Sequence, residues 1–576
     1  MTDLPPYPPL DPTTFDLIIV GTGVPSSILA AAASSSGSSS VLHLDPNPFY
    51  GSHFASLSLP DLTSFLNSNS LSPPPHPSNT HDFLLSVDLV NRSLYSVEIS
   101  TFEPDILGQH SRTFSVDLCG PRAVFCADES INLMLKSGSN NYVELKSVDA
   151  SFVGDSSGEL RNVPDSRGAI FKDKGLTLLE KNQLMKFFKL VQTHLASSLT
   201  EHDETAVKVS EEDMESPFVE FLSKMRLPPK IKLYNSPSEL LFLYQMSLQM
   251  IRLLILVCRI ILYGIALLDH DQDNKETCGH VLKTKEGIDR LALYITSIGR
   301  FSNALGALMY PIYGQGELPQ AFCRRAAVKG CIYVLRMPVT SLLLDKASVR
   351  LASGQEIFSQ KLVLDQCVTV GLESLSPLTD QQKETIRVLV PNEISSKEKI
   401  ARGICIIRGS VRADISNALV VYPPKSLFPE QLTAVRVLQL GNGLAVCPSD
   451  MHVLYFSTVC DNDDQGKAAL LSAMSTLIRE QVPENLQTDS IVENDTAVTK
   501  PVVLWRALYV QELVKGEFGG DISSTSSPDG NLNYNEIVES TVKLYEQLMG
   551  SGELFKEETS QENTAEEDDG DDVIED

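Results

Sequence analysis

Four residues near the start of the chain have the types and spacing of a dinucleotide-binding turn. Gly21 and Gly23 begin a Gly-x-Gly-x-x-Gly pattern, Ser26 takes its third position, and Asp45 follows 22 residues after Gly23. In such a turn the glycines let the backbone approach a pyrophosphate, and the acid bonds a ribose hydroxyl. A side chain at the third position pushes the helix off the strand, where glycine allows close packing. The pattern predicts a Rossmann-like unit whose FAD site is vestigial, with a working FAD site as the alternative.

The elements around these residues form a strand, a helix and a second strand. An apolar run at 17–20 precedes the glycines, a small-residue apolar segment follows at 28–33, and a second run at 41–44 ends on Asp45. Beyond residue 176, apolar residues recur at helical spacing, and short alternating strands return from residue 332. We predict a mixed α/β (α+β) fold. It consists of a Rossmann-like domain of the FAD/NAD(P)-binding type with mixed β-sheets, plus an inserted smaller all-helical domain.

Composition changes along the chain predict the domain boundaries. The segments are a flexible N-terminus at 1–14, a discontinuous α/β domain at 15–175 and 285–550 with a low-complexity loop at about 60–80, a helical domain at 176–284, and an acidic disordered tail at 551–576.

Charge and cysteine usage narrow the class of protein. The 576 residues carry a net charge of −27, which argues against nucleic-acid binding because phosphates require a basic face. Residues 556–576 contain eleven acids and one lysine, so this tail supplies −10 of the total. Ten cysteines without a C-x-x-C pair, and a proline-rich start without a signal pattern, predict reduced thiols in a cytosolic protein.

The most apolar stretch, 240–268, is predicted to be a buried or lipid-facing helix pair. Arg252 and Arg259 interrupt it, and no charge-free window of membrane-spanning length exists. Two central arginines would cost about 5–7 kcal/mol on insertion into a bilayer. A membrane span is therefore the weaker interpretation.

Motifs for catalysis or metal binding are missing from the sequence. It contains no H-E-x-x-H, no G-x-S-x-G and no Walker loop. His270 and His280 are interpreted as loop residues, and the alternating acids at 269–273 lack the glycine and glutamate of a calcium loop. We therefore predict no catalytic residue and no metal site. On chemistry alone this is a binding protein built on an oxidoreductase-like frame.

Two long motifs carry a resemblance to a known family. FDLIIVGTGVPSSILAAA…VLHLDPNPFYG and YPIYGQGELPQAFCRRAAVKG resemble the superfamily of Rab GDP dissociation inhibitors and Rab escort proteins. The second motif, together with the acidic tail, is more similar to the escort branch, and to a plant member of it. The resemblance covers most of the folded chain. It departs at Lys329-Gly330-Cys331, where the family usually has a glycine pair.

The resemblance implies a Rab-binding platform at Tyr50, Glu317, Gln320 and Arg324. A tyrosine offers a rigid apolar face with a polar tip, and charged groups can form strong hydrogen bonds to a GTPase. Without the resemblance, Glu317 would be interpreted as a helix N-terminal charge and Arg324 as part of an intrachain salt bridge.

The resemblance also implies partners and a role. An escort protein binds GDP-bound, unprenylated Rab GTPases and presents them to the α/β heterodimer of Rab geranylgeranyltransferase. It shields the geranylgeranyl lipid in its helical domain and delivers the Rab during transient membrane association, without catalysing a reaction. Phe187 and Phe188 match the helix that docks the transferase, although two adjacent aromatic residues can equally be core. The alternatives are a Rab GDP dissociation inhibitor that recycles prenylated Rabs and, from another class, an FAD-dependent oxidoreductase.

One segment, 233–259, separates two stretches that are nearly continuous in the family. We interpret it as an insertion or as a non-coding segment retained in the gene model. A peptide from 233–259 in the native protein would exclude the second interpretation.

Overall fold

The strand, glycine turn, helix and second strand expected near the start of the chain are all present in the computed structural model. The described residues are 7–37, 39–69, 86–92, 94–165, 167–172, 178–199, 209–224, 257–272, 281–344, 347–371, 378–389, 398–479, 500–550 and 553–555. The predicted low-complexity loop beyond residue 69, His280, most of segment 233–259 and the acidic tail beyond residue 555 lie outside them.

The strands of this part of the chain have the following bounds: β1 Thr14–Val20, β2 Val41–Leu44, β3 Ser56–Leu57, β4 Ser86–Asn91, β5 Tyr95–Thr101, β6 Val116–Asp117, β7 Val124–Phe125, β8 Leu145–Ser147, β9 Ala150–Gly154, β10 Leu160–Asn162, β11 Leu308–Pro311, β12 Ile332–Val334, β13 Val339–Leu343, β14 Ser348–Leu351, β15 Glu356–Leu364, β16 Val368–Val370, β17 Lys399–Arg408, β18 Ala418–Tyr422, β19 Val435–Gly441, β20 Met451–Cys460, β21 Val502–Glu512 and β22 Ile522–Ser524.

The α-helices are α1 Val24–Ser35, α2 Leu59–Asn69, α3 Pro104–His110, α4 Glu129–Ser137, α5 Arg167–Lys172, α6 Leu178–Leu199, α7 Glu211–Glu215, α8 Phe218–Lys224, α9 Thr284–Ser297, α10 Glu317–Val328, α11 Asp380–Thr385, α12 Asp463–Leu477 and α13 Asn535–Met549. A π-helix spans Ile260–Ile265, and short 3-10 helices span Ser52–Phe54, Ser139–Tyr142, Arg387–Leu389 and Asn442–Leu444.

The first sheet places the glycine turn at one edge. Its strand order is β12-β2-β1-β15-β14-β13-β4-β16, with β22 also paired to β15. The pairs β12–β2, β2–β1, β1–β15 and β15–β22 are parallel. Val20 lies opposite both Leu44 and Leu364, so β1, β2 and β15 end at the same level. The residues that follow these three strands therefore meet at one edge of the sheet.

The second sheet has the order β10-β9-β18-β19-β20-β17-β21-β5 and is antiparallel except for the β18–β9 pair. Its strand β17 pairs along ten residues with both β20 and β21 and is buried over most of its length. Helix α12 covers one face of this sheet. A Cβ on Gly403 of β17 would lie 2.7 Å from Cε of Met474, so glycine allows the close approach of helix and strand.

Helices α5 to α9 and the π-helix lie between residues 167 and 297 and share one apolar cluster with the second sheet. Helix α9 buries Ile288, Leu291 and Tyr294 on one side, as its apolar spacing requires. Among the described residues, no helix combines the length and apolar composition needed to cross a membrane. The predicted domain limits at 176 and 284 stay a prediction.

Three fully buried arginines hold the segment that precedes α13. Arg122, Arg402 and Arg436 come from distant parts of the sequence, and all three donate to backbone carbonyls within 528–533. The N–O distances are between 2.5 and 3.2 Å. The three guanidinium groups therefore tie the segment before α13 to the second sheet and to the loop between β6 and β7.

The mixed α/β class is confirmed, and several predicted elements occur with small shifts. Residues 128–137 begin acidic and end basic, which is typical of a short helix, and they form α4, with Asp128 as its N-cap accepting from the Ser130 N–H at 2.9 Å. The helix start expected at Glu317 is also confirmed. The alternation of polar and apolar residues at 111–118 predicts a strand over its whole length. Only Val116–Asp117 forms one, because its partner β3 has just two residues.

Candidate functional site

The glycine turn after β1 is filled by carboxylates of the protein itself. The Gly23 N–H donates to Oδ2 of Asp365 at 3.0 Å, and the Ser26 hydroxyl donates to the same oxygen at 3.1 Å. On the other side of the turn, the N–H and hydroxyl of Thr22 donate to Oδ2 of Asp45 at 2.8 and 2.6 Å. The donors that would bind a pyrophosphate at this helix N-terminus are therefore already paired.

Asp365 is pressed against the turn. Gly21 has φ +94°, and a Cβ built on it would lie 2.2 Å from Cβ of Asp365. Burial raises the pKa of Asp365 to about 6, and it also raises the pKa of Asp45. A phosphate in this volume would meet two buried carboxylates. The residues present do not fit a dinucleotide pyrophosphate.

Two residues predicted from the sequence to mark a lost nucleotide site have structural partners instead. Ser26 is fully buried, and its hydroxyl bonds Asp365, a polar contact that the sequence did not suggest. Asp45 accepts hydrogen bonds from Thr22 and from the Asn47 N–H at 2.8 Å, where a working site would use it for a ribose. Both residues therefore stabilise the closed turn.

Replacing Gly21 by alanine is expected to lower the free energy of unfolding by about 2–5 kcal/mol. A left-handed alanine costs about 1–2 kcal/mol, and the clash with Asp365 adds about 1–3 kcal/mol. Gly37→Ala is the matched control, because Gly37 has φ +66° with nothing within 4 Å of a built Cβ. Only the conformational cost of about 1–2 kcal/mol is expected there. Equal losses for the two variants in urea unfolding would show that Asp365 is not packed against the turn.

The three predicted platform residues of the second motif lie on one face of α10. Glu317, Gln320 and Arg324 are spaced by three and four residues, so they stack along the helix. Arg324 is exposed and the other two are half-buried. The opposite face, which includes Leu318 and Phe322, is buried in the apolar core. Helix α10 therefore presents a polar face of about two turns.

Tyr50 is brought beside this helix by the sheet. It follows β2, and its half-buried ring lies edge-on to the Tyr333 ring, with centroids 6.2 Å apart. Tyr333 belongs to β12, which follows α10 and pairs with β2. Burial raises the pKa of Tyr50, and the nearby Cys323 thiol on α10 is a smaller cause. The structure thus assembles all four residues, whereas their role in binding stays a prediction.

The interpretation of Glu317 as a helix N-terminal charge is supported. The interpretation of Arg324 as part of an intrachain salt bridge finds no support among the described residues. Glu317 is the first residue of α10, where a negative charge is favourable. Burial raises its pKa, while Arg324 opposes the shift. The Arg324 guanidinium lies 5.0 Å from the centroid of the Tyr142 ring, and within the described residues no carboxylate oxygen is within 4.0 Å of it. The charged head of Arg324 is therefore available to a partner's acid.

A buried hydrogen-bond network fixes the start of α10. Asp117 accepts from the Gln315 N–H at 2.9 Å and from the Ser56 hydroxyl at 2.7 Å, and Ser56 Oγ in turn accepts from the Gly316 N–H at 2.8 Å. A Cβ on Gly314 would lie 2.3 Å from Ser56 Oγ. The glycines of the motif are therefore required by the close approach of this loop to β3 and β6. Sequence reasoning missed Ser56 and Asp117.

Phe187 and Phe188 are core residues of α6. They are 4% and 9% exposed, and their ring centroids are 6.1 Å apart within the apolar cluster of the helical segment. Side chains buried to this degree offer little surface to a transferase. The core interpretation that the sequence left open accounts for both.

Fold and site together define a class of protein: a frame of the dinucleotide-binding type whose glycine turn is closed by its own acids, with a polar helix face beside it. The sequence matches the family described as GDI, GDP dissociation inhibitor, over residues 11–101, 92–225 and 260–478. The chain belongs to this family. The matched ranges leave out 226–259, which contains the whole of segment 233–259.

Relatives and one solved structure agree with this assignment. The chain is 76% identical to Rab escort protein 1 of Arabidopsis thaliana over 100% of both chains. It is 31% identical to a Drosophila melanogaster protein named Rab proteins geranylgeranyltransferase component A, covering 79% of this chain and 76% of that one. A crystal structure of a Rab GDI from Plasmodium falciparum has the same fold, with a TM-score of 0.61 at 17% identity and coverage of 94% and 99%. The resemblance found in the two motifs is confirmed.

Proposed function

We propose that this chain is a Rab escort protein. It binds newly made, GDP-bound Rab GTPases, presents their C-terminal cysteines to the α/β heterodimer of Rab geranylgeranyltransferase, and delivers the prenylated Rab to membranes. The observation that carries the proposal is the 76% identity, over both full lengths, to a protein named Rab escort protein 1. The component A name of the Drosophila relative supports the same role.

The binding platform consists of Tyr50 and the polar face of α10. Tyr50 supplies a half-buried aromatic face beside α10, and Arg324 supplies an exposed guanidinium. Glu317 and Gln320 lie on the same helix face as Arg324 and can hydrogen-bond a GTPase surface. The network of Asp117 and Ser56 holds the helix in one position, which lowers the cost of ordering on binding.

The helical segment shields the lipid. Each methylene buried contributes about 0.8 kcal/mol, so a geranylgeranyl chain without a protein partner would aggregate or insert into any bilayer. Two apolar side chains at the adjoining ends of α5 and α6 are exposed, Phe171 at 57% and Leu178 at 73%. Their exposure supports transient contact of this segment with lipid during delivery. Between deliveries the protein is cytosolic.

The protein catalyses nothing itself and uses no coenzyme in this proposal. The filled glycine turn supports this, because the amide donors that hold an FAD pyrophosphate are bonded to Asp365 and Asp45. The transferase supplies the chemistry, and this chain supplies the bound, oriented Rab. Purified protein that carries flavin absorbance would contradict this part of the proposal and favour the oxidoreductase alternative.

A Rab GDP dissociation inhibitor is the rival function, favoured by the description of the matched family and by the Plasmodium structure. A reconstituted prenylation assay separates the two. With purified transferase, geranylgeranyl diphosphate and an unmodified Rab, we expect transfer only when this chain is added, and more with GDP-loaded than with GTP-loaded Rab.

Two outcomes would contradict the escort role. If the chain extracts prenylated Rab from membranes but leaves transfer to unmodified Rab at the background rate, it is an inhibitor. If it binds neither form of Rab, the whole proposal fails. Bovine serum albumin at equal concentration is the control for non-specific binding of the lipid product.

A further inference from the structure

Tyr313 combines an exposed ring with an unfavourable backbone conformation. Its side chain is 59% exposed, the highest value among aromatic side chains in the part of the chain that the structure describes. It lies four residues before Glu317, the first residue of α10, and Arg324 lies farther along the same helix. A ring this exposed buries little surface when the chain folds, so the stability of the fold does not explain why a tyrosine is present.

The backbone at Tyr313 would suit glycine better. The Gly314 N–H donates to the Pro311 carbonyl at 3.2 Å, which closes a turn with Tyr313 as its third residue and φ +73°. Turns with a positive φ at this position normally use glycine or asparagine. A bulky residue held there is strained, and such strain is typical of functional sites.

Surrounding groups hold Tyr313 in this conformation. Its N–H donates to the Leu444 carbonyl at 2.9 Å, and its own carbonyl accepts a hydrogen bond from the Ser115 hydroxyl. Both backbone groups are thus fixed by segments distant in sequence. The ring projects from a rigid position and loses little freedom on binding, which is the property of an interface anchor.

We propose that Tyr313 is a second aromatic anchor for the GTPase, extending the platform past the N-terminus of α10. This inference rests on the proposed Rab binding. Tyrosine is enriched among the few residues that dominate binding energy at protein interfaces. Tyr313 then joins Tyr50 and the polar face of α10 in one platform.

The test compares Tyr313→Gly, Tyr313→Asn and Tyr313→Phe in binding of a GDP-loaded Rab by calorimetry, with thermal midpoints measured in parallel. Glycine and asparagine accept a positive φ, so we expect unchanged or raised midpoints and a Kd at least about tenfold weaker. Phenylalanine keeps the ring and is expected to stay within about threefold. Asp450→Gly is the matched control, because Asp450 is exposed with φ +63° on another loop. Its Kd should stay within twofold.

Three results would overturn the proposal. Tyr313→Gly and Tyr313→Asn could both bind within twofold of the wild type while a Tyr50→Ala, Arg324→Ala variant loses binding. Both could have lowered midpoints, which would show that the ring is needed for the fold. Tyr313→Phe could be as weak as Tyr313→Gly, which would exclude the ring as the anchor. A wild-type chain that binds no Rab is a different result, since it removes the proposed function itself.

Discussion

Changing Tyr50 and Arg324 together to alanine is expected to abolish capture of a GDP-loaded Rab. Each residue offers what dominates interface energies, a half-buried ring beside α10 for Tyr50 and an exposed guanidinium on α10 for Arg324. Losing such an anchor costs about 2 kcal/mol or more, and 1.4 kcal/mol corresponds to a tenfold change in Kd. The double variant should therefore bind at least about 100-fold more weakly, measured by calorimetry. Prenylation of the Rab should fall with it.

A second pair provides the matched control. Tyr95 and Arg408 are exposed and lie on the second sheet, at β5 and at the end of β17. The Tyr95→Ala, Arg408→Ala double variant removes the same residue types at a distance from α10, and its Kd should be unchanged. If the Tyr50 and Arg324 variant also keeps its affinity, the platform is on another surface.

Replacing Arg402 by methionine is expected to lower the free energy of unfolding by about 3–5 kcal/mol. The guanidinium is 1% exposed and donates to Oε1 of Gln511 at 3.0 Å and to the carbonyls of Cys119, Gly120, Pro528 and Asp529 at 2.7–3.2 Å. Methionine fills part of the volume but donates to none of these acceptors, and among the described residues only the Asp529 carbonyl keeps another donor, Arg122. Each acceptor that stays buried and unpaired costs about 1–3 kcal/mol.

Arg408→Met on the same strand is the control for this loss. Arg408 is exposed at the end of β17, so its replacement should change the free energy of unfolding by less than about 0.5 kcal/mol. Arg402→Lys keeps the charge but not the planar fork, and it should also be destabilised. Urea unfolding curves for the three variants and the wild type provide the comparison. Coincident curves for Arg402→Met and Arg408→Met would contradict a stabilising role of the buried Arg402 guanidinium.

Single strands and helices could be predicted from the sequence, because the residue patterns that indicate them lie within short segments of the chain. The apolar runs around Gly21 predict β1, α1 and β2, and the acidic start and basic end of 128–137 predict α4. The spacing of Glu317, Gln320 and Arg324 places them on one helix face once the helix is known. Their link to GTPase binding came from the resemblance alone.

The contacts that decide the site could not be predicted, because they join distant residues. Asp365 is 342 positions from Gly23, and Asp117 is 198 positions from Gln315. Asp365 ends an apolar run in the sequence just as Asp45 does. This pattern indicates that Asp365 lies at the glycine turn only when β15 is known to lie beside β1. The same holds for Tyr50, whose place beside α10 depends on the pairing of β2 with β12.

The acids inside the glycine turn make a nucleotide site difficult to gain there by single substitutions. Substituting Asp365 alone would leave the Gly23 N–H and the Ser26 hydroxyl without acceptors, while Asp45 would still repel a phosphate. Substituting Asp45 alone would leave the Thr22 hydroxyl without its acceptor, while the Thr22 N–H would keep its bond to Ser52 Oγ. Each single substitution in the present turn lowers stability before any affinity for a nucleotide is gained. A nucleotide site could therefore form only through coordinated changes at several buried positions.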